Sequence, residues 1–441
     1  MPAANSARRV RYRLRAASCA LVLTGAMVLI APVTRAQNAD TRKSLDPRVA
    51  TEQYLASVPP EARARSDAYF EGGYWLQLWN FLLGSGVLLA LLHTGWSRRM
   101  REAGGRLTRY RPLQVAAYWI MFFAATTVIA FPLTVYADFV REQQYGLSTQ
   151  TFGAWFGDQL KGFALALVVG AFALMGLYRV LRAAPRTWWV WGAAFVILLQ
   201  VAGNVLYPVF IAPIFNTYTR LDDPVLRGPI LRIARANGLN ATEVWQMDAS
   251  RQTTRISANV SGVLGTERIT LNDNLLKRCS PACVEAVMAH EIGHYVMNHV
   301  FDLLLAFGVL VTLGFALAGW AFERLRLRYQ MRWGVTGIAD PAGLPLLLLI
   351  VSTFMFVLTP VRNTIVRSNE YEADVFGLNA ARQPDGFAEA ALKLGEYRKL
   401  DPLPWEERIF YDHPGGRTRI YTAMRWKAEM NAAASPQGER Q

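Results

Sequence analysis

His290-Glu291-Ile292-Gly293-His294 is a segment whose residue types and spacing can do chemistry. Two histidines four apart project from one face of a helix, so both imidazoles can reach a single Zn²⁺. Glu291 sits one residue on, within reach of the open coordination position but not at a ligand's angle. From there it can accept a proton from a water that attacks a peptide carbonyl. Zinc lowers the pKa of such a water to about 7, which supplies a nucleophile at neutral pH. The ordinary alternative is a chance match, two surface histidines flanking a solvated glutamate. Context argues against it. Ser280 can cap the helix and Pro281 suits its first turn. Val284, Val287, Met288 and Val296 make the segment apolar, and the motif uses two of only 5 histidines in the chain.

Catalytic zinc usually takes three protein ligands and leaves one position for water. No third histidine follows at the longer H-E-x-x-H-x-x-G-x-x-H spacing, so that ligand comes from elsewhere. Asn369-Glu370-Tyr371-Glu372-Ala373-Asp374 reads as helix. Glu370 and Asp374 share a face, so one could bind metal while the other orients a ligating imidazole. Periodicity alone leaves Glu370 and Glu372 both open. His299, one turn past His294, reads as a packing or orienting residue in preference to a ligand. His93 ends an apolar run and reads as interfacial. His413, before Pro414, is a loop histidine whose role the residues themselves do not give.

The elements around these residues are membrane elements. Apolar residues make up 52% of the 441 and charged residues only 18%, too apolar for an ordinary soluble chain. Six apolar runs lie near residues 74–95, 113–136, 160–181, 187–210, 302–323 and 342–361. Each is about 20 residues, enough to cross a hydrocarbon layer roughly 30 Å thick. The formal charge of +14 does not point to nucleic acid, because the arginines fall in short stretches between these runs. Residues 96–112, 179–186 and 324–332 carry them, on one side of six spans, and that side is expected to be cytoplasmic.

The N-terminus reads as a secretory signal peptide or an uncleaved signal anchor. Basic residues from Arg8 to Arg15 precede an apolar run from Ala16 to Pro32 and a boundary near Ala36. The expected organisation is 1–36 signal or anchor and 37–72 polar extracytoplasmic segment with short helices, then 73–215 four spans. Residues 216–301 form the first half of a soluble domain, 302–361 two further spans, and 362–441 the second half with a polar tail. Leu231 to Gly238 reads as helix, and Ala258–Gly262 with Ile269–Leu271 as a hairpin around Gly265. The second half reads as helical from near Arg367.

With those elements in place, the chain resembles the type I CAAX prenyl endopeptidases, integral-membrane gluzincin proteases. The resemblance runs from about Tyr69 to Ile420. It rests on Phe210-Ile-Ala-Pro-Ile-Phe215, Arg268-Ile-Thr-Leu-Asn-Asp-Asn-Leu-Leu276, the zinc motif, Arg367-Ser-Asn-Glu-Tyr-Glu-Ala-Asp374, and Asp412-His413-Pro414 followed by Arg419-Ile420. It implies one Zn²⁺ per chain held by His290, His294 and Glu370, with Asp374 behind them and Glu291 as base. His413 is implied to stabilise the oxyanion. The implied fold is an all-α polytopic membrane protein. About seven transmembrane helices, the N-terminal run included, form a water-filled chamber beside a split zincin-like α+β metalloprotease domain.

Ser257, Asn259 and Arg419 are the positions it assigns to substrate. Three departures stand out. Ser257-Ala258-Asn259 replaces the usual Asn-Ala-aromatic stretch, Arg255 replaces a histidine, and the Arg-rich loops place the zinc domain outside the cytoplasm. Outside, Cys279 and Cys283 could form a disulfide or stay as two buried thiols.

The function that follows is a zinc endopeptidase acting on membrane-associated or unfolded polypeptides. The signal and the Arg/Ala-rich composition look bacterial, so the expected place is a bacterial inner membrane with the zinc site on the periplasmic side, in envelope protein processing or quality control. Polypeptide substrates and the lipid bilayer are the expected partners; nothing specifies an oligomeric state. A non-catalytic zinc-stabilised scaffold binding membrane proteins is the competing class, and Glu291, which metal binding does not need, argues against it. A channel is disfavoured because no charge lies deep in the expected spans.

Overall fold

Apolar helices dominate the computed structural model, which describes residues 45–262 and 267–434. The N-terminal signal or anchor run, Gly265 and the end of the polar tail lie outside the described residues. After a short helix α1 (Pro47–Ala56), the long helices are α2 (Pro60–His93), α4 (Arg111–Val135, continuing to Gln144), α5 (Phe152–Ala183), α6 (Trp188–Leu206, continuing to Phe215) and α10 (His299–Arg328). These five are long and apolar enough to cross a bilayer. An amphipathic helix α3 (Trp96–Leu107) joins α2 to α4. Its Ser97 hydroxyl bonds to Tyr118 of α4 at 2.8 Å and to the Ala342 carbonyl at 2.8 Å.

Two expectations change here. Residues 60–73 are not short helices but the polar start of α2, because Pro60 suits a first helical turn and no further proline interrupts the 34-residue helix it opens. The last expected span is broken: α11 (Leu344–Val357) and α12 (Thr359–Ala381) meet at 56°. Pro360 explains the bend, since it lacks the N–H a continuous helix needs and its ring crowds the carbonyl four residues back. The helix expected from Arg367 therefore starts at Thr359. The described residues hold five spans, or six with this broken one.

Only 0–22% of each span's apolar window is buried. Where the spans do pack, they meet around Tyr118, Phe122, Tyr178, Leu181, Phe315 and Phe322.

The soluble part is built from both polar stretches. Helix α7 (Pro224–Ala236), capped by Asp223, starts before the expected Leu231. Four strands follow in the order β1-β2-β4-β3, with β1 Tyr218–Arg220, β2 Val244–Met247, β3 Ala258–Ser261 and β4 Arg268–Asn272. β2 and β4 run parallel, and β3 pairs antiparallel with β4, as the hairpin reading expected. That leaves β3 at an edge. After α8 (Asp273–Arg278) comes α9 (Pro281–Val296), whose Val284, Met288 and Ile292 pack on Ile269, Leu271 and Leu275. From the second stretch, α12, α13 (Pro384–Leu394), α14 (Pro404–Phe410) and α15 (Gly416–Ala434) close over the other side.

Candidate metal centre

The His290-to-His294 motif lies on α9. The Ser280 hydroxyl accepts from Cys283 N at 3.2 Å, and Pro281 occupies the first turn, as the sequence implied. Cys279 and Cys283 are free thiols. With its apolar stripe on the sheet, α9 turns His290 and His294 toward α12. The two helices approach closely because small residues meet at the crossing. A Cβ on Gly377 would lie 3.0 Å from His290 N, and one on Gly293 2.9 Å from the Phe376 ring.

Three donors converge there. His290 Nε2 and His294 Nε2 are 3.1 Å apart. Glu370 Oε2 lies 3.3 Å from His290 Nε2, and Oε1 3.4 Å from His294 Nε2. Two donors about 2.05 Å from one tetrahedral zinc are themselves about 3.3 Å apart, so the spacing fits such an ion. Glu370 Oε2 is buried and faces only imidazole nitrogens, none in good hydrogen-bond geometry, an expensive state for a carboxylate oxygen unless a cation lies among them. Two imidazoles and a carboxylate are also a donor set that suits zinc. Glu372 does not join them; its side chain is exposed and its Oε2 touches His299 Nε2 at 3.4 Å.

Each imidazole is backed. Asp374 Oδ1 lies 2.8 Å from His290 Nδ1, and Asp374 is itself gripped by Arg419, with Nε to Oδ2 at 2.9 Å and Nη2 on Oδ1. On the other side, His294 Nδ1 faces His299 Nδ1 at 2.8 Å. A His294 that binds metal through Nε2 carries its proton on Nδ1. It then donates to His299, whose remaining N–H points at Glu372.

A cavity of about 450 Å³ opens beside the three donors, bordered by Ser257, Glu291, Tyr397, Arg398 and His413. Burial pushes the Glu291 carboxyl upward, partly opposed by His290 and His294. Burial also pulls the His290 imidazole down, but the Asp374 and Glu370 carboxylates outweigh it and push it up to about 9. His413 Nδ1 bonds to Asp412 Oδ1 at 2.8 Å, which leaves Nε2 facing the site, 3.1 Å from Glu370 Oε2. Burial lowers its pKa despite that carboxylate.

Of the residues expected at substrate, Ser257 borders the cavity next to edge strand β3, its carbonyl accepting from Asn272 N at 2.9 Å. Asn259 pairs with Thr270 in the β3–β4 register and does not border the cavity. Arg419 borders it, but Nε and Nη2 are both committed to Asp374. Its position is behind His290. The sequence reading missed Asp412 as the partner of His413, although the two are adjacent. It also missed Glu372 as the partner of His299, 73 positions away, for which no local signal exists. Arg255, noted only as a departure, reaches Tyr69 Oη at 2.6 Å and Glu142 Oε2 at 2.8 Å, tying the sheet to the spans.

Comparison with known proteins agrees with this architecture. A family model described as "CAAX prenyl protease N-terminal, five membrane helices" matches residues 42–217, and the model of peptidase family M48 matches residues 221–427. YhfN of Bacillus subtilis, named an uncharacterized metalloprotease, is 28% identical over 78% of this chain and 82% of its own. CAAX prenyl protease 1 of Saccharomyces cerevisiae is 26% identical over 69% of this chain and 70% of its own. A crystal structure of Ste24p from S. mikatae shares the fold, with a TM-score of 0.71 over 86% of this chain and 95% of that one at 21% identity. The two family models adjoin and leave little of the chain outside them: it belongs to peptidase family M48 and is an integral-membrane zinc metalloprotease.

Proposed function

We propose that the chain is an endopeptidase of a bacterial inner membrane that cleaves membrane-associated or unfolded envelope proteins at a site on the periplasmic side. The convergence of His290, His294 and Glu370 beside Glu291 carries the catalytic part of this reading. His290, His294 and Glu370 would hold the zinc, whose Lewis acidity polarises the scissile carbonyl and acidifies water. Glu291, on the same cavity wall, takes the proton from the attacking water and returns it to the leaving amine. Its burial-raised pKa brings it nearer the range a base needs at neutral pH. His413, oriented by Asp412, turns Nε2 inward and donates to the developing oxyanion when the ring carries its second proton.

Substrate lies along β3. That strand is at the edge of the sheet, so an extended peptide can add to it through main-chain hydrogen bonds, beginning beside Ser257. Such pairing needs an extended chain, which favours unfolded or flexible segments over folded ones. Arginine-rich loops at the far ends of the spans support the periplasmic orientation.

Two measurements test the reading. A reporter fused after Ala434 is expected to be active as a periplasmic alkaline phosphatase; fluorescence from a cytoplasm-dependent reporter there contradicts the orientation. Purified enzyme is expected to cleave a destabilised single-span membrane protein and spare its stably folded form. Equal cleavage of both contradicts the substrate class.

A further inference from the structure

At the end of the bundle remote from α9, a cavity of about 490 Å³ opens among α3, α4, α5 and the turn before α11. Arg101, Arg111, Gln114, Arg182, Thr336 and Asp340 border it. Asp340 is fully engaged. Its Oδ2 accepts from Arg101 Nη1 at 2.6 Å, Thr336 N at 2.9 Å and Thr336 Oγ1 at 3.0 Å, and its Oδ1 from Ala342 N at 3.0 Å.

Arg111 and Arg182 are different. Neither guanidinium makes an ion pair or hydrogen bond among the described residues, yet both face the same space. Three guanidinium groups against one carboxylate leave the lining with a surplus of two positive charges. Arg111 is also the first residue of α4, whose N-terminus carries no side-chain cap, so the helix dipole adds to the positive potential. Gln114 spends one amide hydrogen on the Thr108 carbonyl at 2.9 Å and keeps the other. Like charges gathered in a recess without a counter-charge repel one another, and an anion relieves that cost.

The depth of this recess is marked as well. Trp96, Tyr110, Trp191 and Trp320, at this end of the spans, are each more than half exposed. Exposed Trp and Tyr at span ends form the belt that sits among lipid headgroups. Basic pockets between spans at that level are suited to phosphate-bearing headgroups. The planar guanidinium fork matches a phosphate's oxygens in pairs.

We infer that this cavity is a binding site for an anionic phosphate group, with Arg111 and Arg182 as its principal contacts. It lies at the opposite end of the spans from the zinc and does not depend on the proposed substrate. The phosphate could belong to a lipid or be free in solution, and the test separates the two.

Full-length wild type, Arg111→Gln/Arg182→Gln and Arg111→Lys/Arg182→Lys proteins are titrated in micelles with phosphatidylglycerol, phosphatidylcholine or inorganic phosphate. Native mass spectrometry counts retained lipid, and thermal shift reports phosphate. Phosphatidylglycerol is expected to bind at one per chain in preference to phosphatidylcholine. The Gln variant should bind it at least about tenfold more weakly, as loss of charge-assisted hydrogen bonds requires, and the Lys variant should keep most of the affinity. Binding of inorganic phosphate with the same dependence on variant identifies a free-phosphate source instead. Unchanged peptide hydrolysis in the Gln variant shows that it is folded. If neither phosphatidylglycerol nor phosphate distinguishes wild type from the Gln variant, the inference is wrong.

Discussion

His294 serves as a zinc ligand through Nε2 only in the tautomer that keeps its proton on Nδ1, and His299 stands 2.8 Å from that nitrogen. His299 is 1% exposed, so it cannot be replaced by water without a cavity opening. His299→Ala is expected to weaken zinc binding by about 10- to 100-fold, the usual cost of losing a partner that orients a ligand. Competition with a chromophoric chelator measures this, and an affinity within twofold of wild type would show that His299 only packs. That His290 and His294 share one helical face was legible in the sequence because helical spacing is local. The partnership of His299 with Glu372, and of Arg419 with Asp374, joins residues far apart in the chain, and no periodicity encodes which acid meets which base. Spacing likewise left Glu370 and Glu372 open, and only the face that α12 turns toward α9 separates them.

Between elements, the site depends on how closely α12 and α13 approach α9. Gly386 of α13 lies against the first turn of α9, where a Cβ would overlap the Ala282 carbonyl. The obstacle is backbone, which cannot rotate away. Gly386→Val is therefore expected to cost at least about 1–3 kcal/mol, as overpacking in a close-packed interior does. The thermal midpoint of the purified protein should fall accordingly, and an unchanged midpoint would mean that α13 stands off from α9. The spans themselves were legible, since a run of about 20 apolar residues has the length that a helix needs to cross the hydrocarbon layer. Their ends were less so. The polar first turns of α2 carry no apolar signal, although they belong to the same helix as the span. The apolar run through Leu358 hides a 56° bend that a single proline imposes.

Across the whole molecule, the two polar stretches are separated in sequence by membrane elements, and many side chains tie them to the spans, among them Asp401 to Arg63 and Lys399 to Glu71. Arg255 is another, bridging from the loop before β3 to Glu142 and Tyr69. Its side chain is 36% exposed, so solvent screens part of the interaction. Arg255→Ala is expected to lower stability by about 1 kcal/mol and to leave zinc affinity unchanged. A chelator titration that showed weaker zinc binding would contradict that separation of roles. The most direct test of the catalytic centre concerns Glu291, whose side chain borders the cavity without being one of the three converging donors. Purified Glu291→Gln protein should retain one zinc per chain by metal analysis and lose peptide hydrolysis by about 10²- to 10⁴-fold, the range a positioned general base supplies. Hydrolysis near the wild-type rate with zinc still bound would contradict the assignment of Glu291 as the base.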